Sequence, residues 1–573
     1  MTSVVPAVSA VEDHAARPAT VEVAVARLVA QATLLRPRPA RRAVMTTKAV
    51  WPTRPVAVHV HRNFPAELAL RSAEPFLAWA GWAPLSATFG AYDDALAFAD
   101  VRAADVHLVL LDWGRYADPP DPAWLGARLG VLRRATPAPI LVTGPAGSTP
   151  ADRAGHARVA AAAATVPGAV VCDLGAVGEQ LGDAVTDERS AELTGTALSA
   201  EALLLIGQQL GLVGLPCALG SRVRAVVVDL DHTLIGGAVG ELGAEGVEIT
   251  ADHVALQRAL VDLHGRGVFL ALLSRNEPAD VERLFATRAD MVLRPEHFSA
   301  MSVSWGDKGT GLRAAVARLR VGTDQVLVVD DNVGELAAIA ASAPAAGLLH
   351  AADPASTAAA LAMYPGLAGM PRSDADAVRV ADLAANDVRD RLRAAATGDG
   401  YLASLDVRLT VSTGGSGAAG VAGAARVAEL SAKTNQFNLA LARLSEGEVV
   451  RRSYATVALS DRLAESGVVA AVTAELDGET LRVRDLCISC RALGRGVEDV
   501  IVRELVLALC APTTARVTID WQRGARNAPA LAWLQNRSGR DLTAYAGSVD
   551  FGADDVRAWG AGAPVAIVRA EQR

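Results

Sequence analysis

Short runs of Val, Leu and Ile alternate with helix-length segments along the first two thirds of the chain. VAVHV (56–60), VHLVLLD (106–112), PILVTG (139–144) and AVVCDL (169–174) are the first four such runs. Apolar runs with a helix-length spacer between each pair predict a parallel sheet with helices on both faces. This block closes on a long helix, SAEALLLIGQQLGL (199–212), and a Gly/Pro break. A second α/β unit starts at Val223. Its strands are RAVVVDLD (224–231), VFLALLS (268–274), MVLR (291–294) and QVLVVDD (325–331), and ADHVALQRALVDLHGRG (251–267) is a helix with a glycine stop. It ends near Pro365-Gly366. From about 375 the texture changes. YLASLDVRLTVS (401–412), SGVVAAVTAEL (466–476) and TLRVRDLCIS (480–489) read as strands of a mostly antiparallel sheet, mixed with helices such as RGVEDVIVRELVLAL (495–509). GGSGAAGVAGAA (414–425) reads as a low-complexity loop.

The expected organisation is a tail or linker over 1–50, then α/β domains over 51–220 and 221–368, and an α+β domain over 375–573. The stretch Arg36-Pro37-Arg38-Pro39 supports the linker reading. A length of 573 residues suits three or four domains at roughly 150 residues each.

Hydrophobic residues make up 51% and aromatics 4%, so the cores are Ala/Val/Leu cores and a disordered chain is excluded. The 55 basic and 63 acidic residues give a net charge of −8, which argues against a nucleic-acid partner. Only three basic residues are lysines, Lys48, Lys308 and Lys433. A lysine here therefore carries positional information. The five cysteines fit no disulfide framework, and the single C-x-x-C, Cys487 and Cys490, lacks the second pair of a zinc site. No apolar run reaches ~18 residues and no signal peptide is seen. A cytoplasmic chain without a membrane span is the expectation.

The second block carries the chemistry. A buried strand runs into Asp229-Leu230-Asp231-His232-Thr233. Alternation would put Asp229 and Asp231 on one side of the backbone at a strand's carboxyl end, where α/β sheets bind ligands. Ser274 closes the next strand, Lys308 comes after it, and Asp330-Asp331-Asn332 close another strand. Such a set suits phosphoryl transfer. Asp229 is the candidate nucleophile and Asp231 the general acid and base. Thr233, Ser274 and Lys308 would bind phosphoryl oxygens. Asp229, Asp231 and Asp330 would hold Mg²⁺, with Asp331, Asn332 and Asn276 in support.

The order DxDxT, Ser, Lys, DD resembles the haloacid dehalogenase (HAD) superfamily. DLDHTLIGGAVGELGAEGVEI (229–249), LLSRNEP (272–278), WGDK (305–308) and VVDDNVGE (328–335) look like the FkbH-like family of polyketide assembly. That resemblance implies removal of phosphate from a glycerate bisphosphate and loading of the glyceryl unit onto an acyl carrier protein. It also implies a HAD-like Rossmannoid sheet without a large cap, preceded by a flavodoxin- or SGNH-like domain and succeeded by a GNAT-like one. RNFPAELALRSAEPFLAWAG (62–81) and AKTNQFNLA (432–440) extend the match. Two positions depart from the family pattern. His232 stands where Asn is usual, and Leu273 stands where many glyceryl-loading relatives have a cysteine. A stand-alone phosphatase and a GNAT-type acyltransferase or carrier-docking protein are therefore kept as alternatives.

The first block has no serine after its first strand and no closing DxxH, so it is expected to be non-catalytic. His59 and His61 read as strand histidines that are simply packed or surface-exposed rather than as ligands. In the third block Arg491, Gly494 and Gly496 form an R-x-x-G-x-G turn between strand and helix, which resembles the pyrophosphate loop of GNAT acyltransferases and would seat a pantetheine arm. Asn435, Gln436 and Asn438 beside Lys433 are candidate ligand lining. The intervals between catalytic strands leave room for a small hairpin flap over 235–249 and no lid domain. An open crevice bordered by the third domain, with the 491–496 loop facing Asp229, is the expectation.

Overall fold

The structure is a computed structural model that describes residues 21–570, less 117–120, most of 369–399, 415–420, Cys490 and Ala525. Three sheets organise it. The first holds β1 (Arg54–Arg62), β2 (Trp82–Phe89), β3 (Val106–Leu110), β4 (Ile140–Thr143) and β5 (Ala169–Cys172), in the order β2-β1-β3-β4-β5 with every pair parallel. That is a doubly wound, flavodoxin-like order.

The second sheet holds β6 (Ala225–Val228), β7 (Phe269–Ser274), β8 (Phe298–Val303), β9 (Val326–Asp330) and β10 (Gly347–His350). Its order is β10-β9-β6-β7-β8, again all parallel. The strand order reverses between β6 and β9, so the switch point lies where Asp229 and Asp330 emerge. All four residues of β6 and all five of β9 are buried, as a strand covered on both faces requires.

The third sheet is mixed. It runs β16 (Ala546–Gly552), β15 (Arg516–Gln522), β14 (Thr480–Ile488), β13 (Glu465–Asp477), β12 (Ser453–Ser460), β11 (Val407–Gly414) and β17 (Val565–Arg569). Only the β14–β15 and β11–β17 pairs are parallel. The mixed α/β character with two parallel sheets agrees with the sequence reading. Several elements differ from it.

Residues 21–46 are not a loose linker. Val21–Leu34 and Arg41–Thr46 are helices, and Leu34, Leu35 and Val44 sit in the core that covers the second sheet. Gln31 ties this helix to β10 through hydrogen bonds with the His350 backbone at 3.0 and 3.2 Å. An alanine-rich helix shows weak contrast between its two faces, which hid it in the sequence. The same core takes Phe76, Trp79 and Leu204 from helices of the first unit, so the first two units share apolar packing.

MVLR (291–294) is not a strand. Val292 and Leu293 donate their N–H groups to the Gln257 side chain at 2.8 and 3.1 Å, and the next strand is β8 at Phe298–Val303. A buried amide oxygen has taken the place of a ladder partner. The Gly/Ala run does not continue as a loop either, because the helix Val421–Lys433 begins inside it. Helical residues Ala200–Ala218, 19 in all, are on average apolar enough and long enough to cross a bilayer, but the segment is 83% buried inside the protein.

Candidate functional site

Three strand ends and one helix start converge at Asp229. Its N–H donates to the Val329 carbonyl at 2.9 Å, which extends the β6–β9 ladder by one residue into the site. Ser274 is the last residue of β7 and Asp330 the last of β9. Lys308 is the first residue of the helix Lys308–Leu319. Asp307 caps that helix by accepting from the Thr310 N–H at 2.8 Å, so the WGDK sequence fixes where the lysine enters.

Lys308 Nζ lies 3.2 Å from Asp229 Oδ2 and 2.5 Å from Asp330 Oδ2. All three side chains are buried. Burial pushes the Asp229 carboxyl up to about 7; the Lys308 charge opposes the rise and Asp330 adds to it. Burial also works against the Lys308 ammonium, but the two carboxylates outweigh it and lift its pKa. Asp331 is raised by its own burial and by Asp330.

Carboxylate oxygens of Asp229, Asp330 and Asp331 lie within 4.8 Å of one another. Three hard oxygen donors at that spacing fit a magnesium ion that keeps some of its water. A divalent cation there would also pull Asp229 back toward its ionised form. The expected ligand set was Asp229, Asp231 and Asp330; the Asp231 carboxylate is not part of this cluster, and Asp331 is. The strand ends at Val228, and His232 then takes a left-handed backbone with φ 55°. Asp231 lies just beyond the strand. Its Oδ1 accepts from the Val239 N–H at 3.0 Å and its Oδ2 from Asn276 Nδ2 at 2.8 Å.

Asn276 also donates to Ser274 Oγ at 2.9 Å, which leaves the serine hydroxyl proton free to point elsewhere. Thr233 Oγ1 is buried without a hydrogen-bond partner among the described residues. A buried hydroxyl in that state matches a site built for a further oxygen. Asn332 supports Asp330 through its backbone N–H at 2.9 Å; its side chain instead caps the helix Val333–Ser342.

Over the site lies the segment 235–249. A single bridge between Gly236 and Glu248 closes it, and Val239–Gly246 forms its tip as two short helical turns that meet at a kink at Gly243 (φ 69°), so it is a helical flap and not the plain hairpin expected. No lid domain interrupts either interval between the catalytic strands. The sequence did not reveal how Val239 fixes Asp231, nor the pairing of Arg275 with Glu335 at 2.5 Å beside the site. Neither contact has a local sequence signature.

The third unit departs from expectation. Gly494 and Gly496 have positive φ, 73° and 78°, as the turn requires. The Gly494 N–H, however, donates to Glu498 Oε1 at 2.5 Å, so a carboxylate already fills the place read as a phosphate nest. Arg491 reaches the Val468 carbonyl at 3.3 Å. β14 pairs with β15 only over Thr480–Val483 and then splays away. Phe437–Leu439 closes the gap: Leu439 bonds the Leu486 carbonyl at 3.0 Å, Ile488 bonds the Phe437 carbonyl at 2.8 Å, and Gln522 bonds the Leu439 carbonyl at 2.8 Å. Residues 437–439 thus bridge the two strands where they part, and Asn438 is buried there.

The loop at 491–494 also lines a cavity with Arg224, Phe269 and Gln325, at the amino ends of the second sheet's strands. Asp229 is at their carboxyl ends. A loop facing Asp229 is therefore corrected: one arm cannot serve both places. In the first unit His59 and His61 pack with His107 in the interior, as expected, with ring centroids 4.8–5.6 Å apart. Cys487 is buried in β14, and Cys490 lies outside the described residues.

No protein-family model matches the chain, and no curated protein matches it. Among solved structures, the N-terminal part of BF1531 from Bacteroides fragilis, described as containing a phosphatase domain complexed with Mg, is similar at 15% identity and a TM-score of 0.44. The match covers 56% of this chain and 94% of that one. The hypothetical protein XCC2798 from Xanthomonas campestris is similar at 21% identity and a TM-score of 0.19, over 26% of this chain and 85% of its own. At these values neither neighbour assigns a function, and any functional reading rests on the geometry of the site.

Proposed function

We propose that the second unit is a magnesium-dependent phosphatase of the HAD type, acting on a small phosphorylated substrate. The observation that carries this reading is Asp229 at the switch point, buried beside Lys308 and within reach of Asp330 and Asp331. Bound magnesium would neutralise charge on the transferring phosphoryl group.

An Asp229 oxygen attacks phosphorus as the bond to the leaving oxygen breaks, giving an acyl phosphate on Asp229. Asp231, steered by Val239 and Asn276, gives the leaving oxygen its proton. It then takes one from the water that attacks the same phosphorus and frees Asp229. The Ser274 and Thr233 hydroxyls and the Lys308 ammonium hold the phosphoryl oxygens.

The finer reading, in which the substrate is a glycerate bisphosphate and the acyl group passes to a carrier protein, rests on the sequence resemblance. Leu273 is buried in the core of the second sheet, and residues 221–368 contain no cysteine. An acyl thioester would therefore have to form on a thiol from outside this unit, such as that of a holo carrier protein.

The test is phosphate release from glycerate bisphosphate and from simple phosphoesters, with and without magnesium, together with the mass of a holo carrier protein in the mixture. Magnesium-dependent release by the parent and loss of release in Asp229→Asn are expected. Turnover of that variant within a few-fold of the parent refutes the phosphatase reading. Phosphate release without a carrier mass change refutes only the loading step.

A further inference from the structure

One edge of the second sheet is β8, which pairs with β7 alone. The Ser304 N–H donates to the Ser274 carbonyl at 3.1 Å. Backbone groups of successive strand residues point to alternate sides, so Ala300 and Ser302 also turn theirs toward β7. Those of Ser299, Met301 and Val303 turn outward. The Ser299 carbonyl is covered there, since it accepts from Arg318 Nε at 3.1 Å. A shift of register against β7 falls at the same end of the strand. Among the described residues, nothing pairs with the outward backbone groups of Met301 and Val303.

An open edge invites another strand, and proteins block it with charge, proline, a bulge, shortness or a covering element. The opposite edge of this sheet, β10, is covered by Gln31. In the other two sheets, β2 holds Pro84, β5 has four residues, β16 holds Asp550 and β17 holds Arg569. The carboxyl half of β8 has no such guard. The nine residues from Phe298 to Gly306 carry no charge, where a composition of 21% charged residues supplies about two. Met301, Val303 and Trp305 alternate onto one face of the strand and its continuation. Met301 is 42% and Trp305 62% exposed, and Val303 is half-buried. Trp305 Nε1 donates to Glu277 Oε1 at 2.7 Å, which fixes the exposed ring.

The segment is complementary to itself. In an antiparallel pairing with the two-fold axis at Ser302, Met301 lies opposite the other copy's Val303, and Val303 opposite the other copy's Met301. Both are hydrogen-bonded pairs, so the four outward groups of each strand are all satisfied. Each pair also sets two apolar side chains together, and with no charge in the segment no like charges meet. Ser302 then faces the other copy's Ser302 at about 4.5 Å between Cα atoms. Strand pairing alone buries less than the roughly 1,200–2,000 Å² of a stable interface. Helices flank β8 on both faces and enter the contact with it: Pro278–Thr287 stacks Phe285 on Phe298, and Lys308–Leu319 brings Arg318.

We propose that the protein forms a symmetric dimer in which β8 pairs antiparallel with β8 of a second copy. Two five-stranded sheets become one of ten strands, and the two Asp229 crevices open at opposite ends of it. The inference does not depend on the phosphatase reading.

The test is sedimentation of the intact chain at about 100 µM, where a dimer with a Kd tighter than about 10 µM predominates. The parent should sediment with twice the mass of one chain. Met301→Lys should raise the Kd at least about tenfold, because a lysine on an edge opposes pairing. Ser302→Cys under mild oxidation should give a disulfide between two copies, mapped by mass to position 302 in both and missing from the parent treated alike. Circular dichroism checks that each variant folds; if one does not, the other decides alone. A monomeric parent overturns the proposal and leaves the edge to a strand of another protein. So does an unchanged Kd in folded Met301→Lys, or folded, dimeric Ser302→Cys that does not cross-link at 302.

Discussion

Replacing Lys308 with glutamine removes the cation that lies between Asp229 and Asp330. Its ammonium is 3.2 and 2.5 Å from the two carboxylates, and all three groups are buried. Breaking a buried ion pair on one side costs about 3–5 kcal/mol, because the remaining charge is left uncompensated. In a unit of this size that corresponds to a melting shift on the order of 10 °C. The loss depends on pH. Asp229 already titrates at about 7 with the lysine present, and removing the cation raises it further. A raised folded pKa favours the fold below the unfolded value of 3.8 and costs stability as pH rises through the folded one. The variant should therefore melt below the parent at both pH 5 and pH 8, and by more at pH 8. Magnesium should recover part of the deficit at pH 8 by replacing the missing charge. Thermal melts tracked by circular dichroism at both pH values, with and without magnesium, are sufficient. Equal melting temperatures at pH 8 would refute the reasoning.

The same geometry sets other expectations. Lys308→Arg should lose most phosphate release, since a planar fork does not replace a compact ammonium between two carboxylates; full activity in a phosphate assay would contradict this. His232→Val should cost about 1–2 kcal/mol, because a β-branched residue resists the φ of 55° found there, whereas His232→Asn should be neutral or mildly stabilising by denaturant titration. In the first unit burial, and after it the neighbouring histidines, depresses His61 to about 3 and His107 to about 4. Their contribution is complete above the unfolded value of 6.5 and is lost as pH falls from there toward those folded values. The double variant His61→Phe with His107→Phe should melt with a shallower acid dependence between pH 7 and pH 4 than the parent, and an unchanged dependence would remove the histidines as its cause.

The legible parts of this chain are those where one residue's chemistry and one strand's periodicity coincide. Asp229, Ser274 and Asp330 were readable because each closes a wholly apolar run that could only be a buried parallel strand. Lys308 was readable because lysine is so rare here. The surroundings of Asp231 are less legible, because the groups that hold its carboxylate, the Val239 N–H and Asn276, come from segments that no local pattern ties to it. The helix Val21–Leu34 was missed because alanine blurs the difference between buried and exposed faces. MVLR failed because Gln257, 35 residues away, satisfies its backbone. The closing of the third sheet by Phe437–Leu439 is a long-range pairing, and no local pattern announces it.

The central claim is that Asp229 carries the phosphoryl group during turnover. The direct measurement is acid quenching of the parent with magnesium and a labelled phosphoester that it turns over, and then mass mapping of the protein. The account predicts label on the segment that contains Asp229, at that residue, and none in Asp229→Asn. Active turnover with no label on Asp229, or label on a different residue, would contradict it.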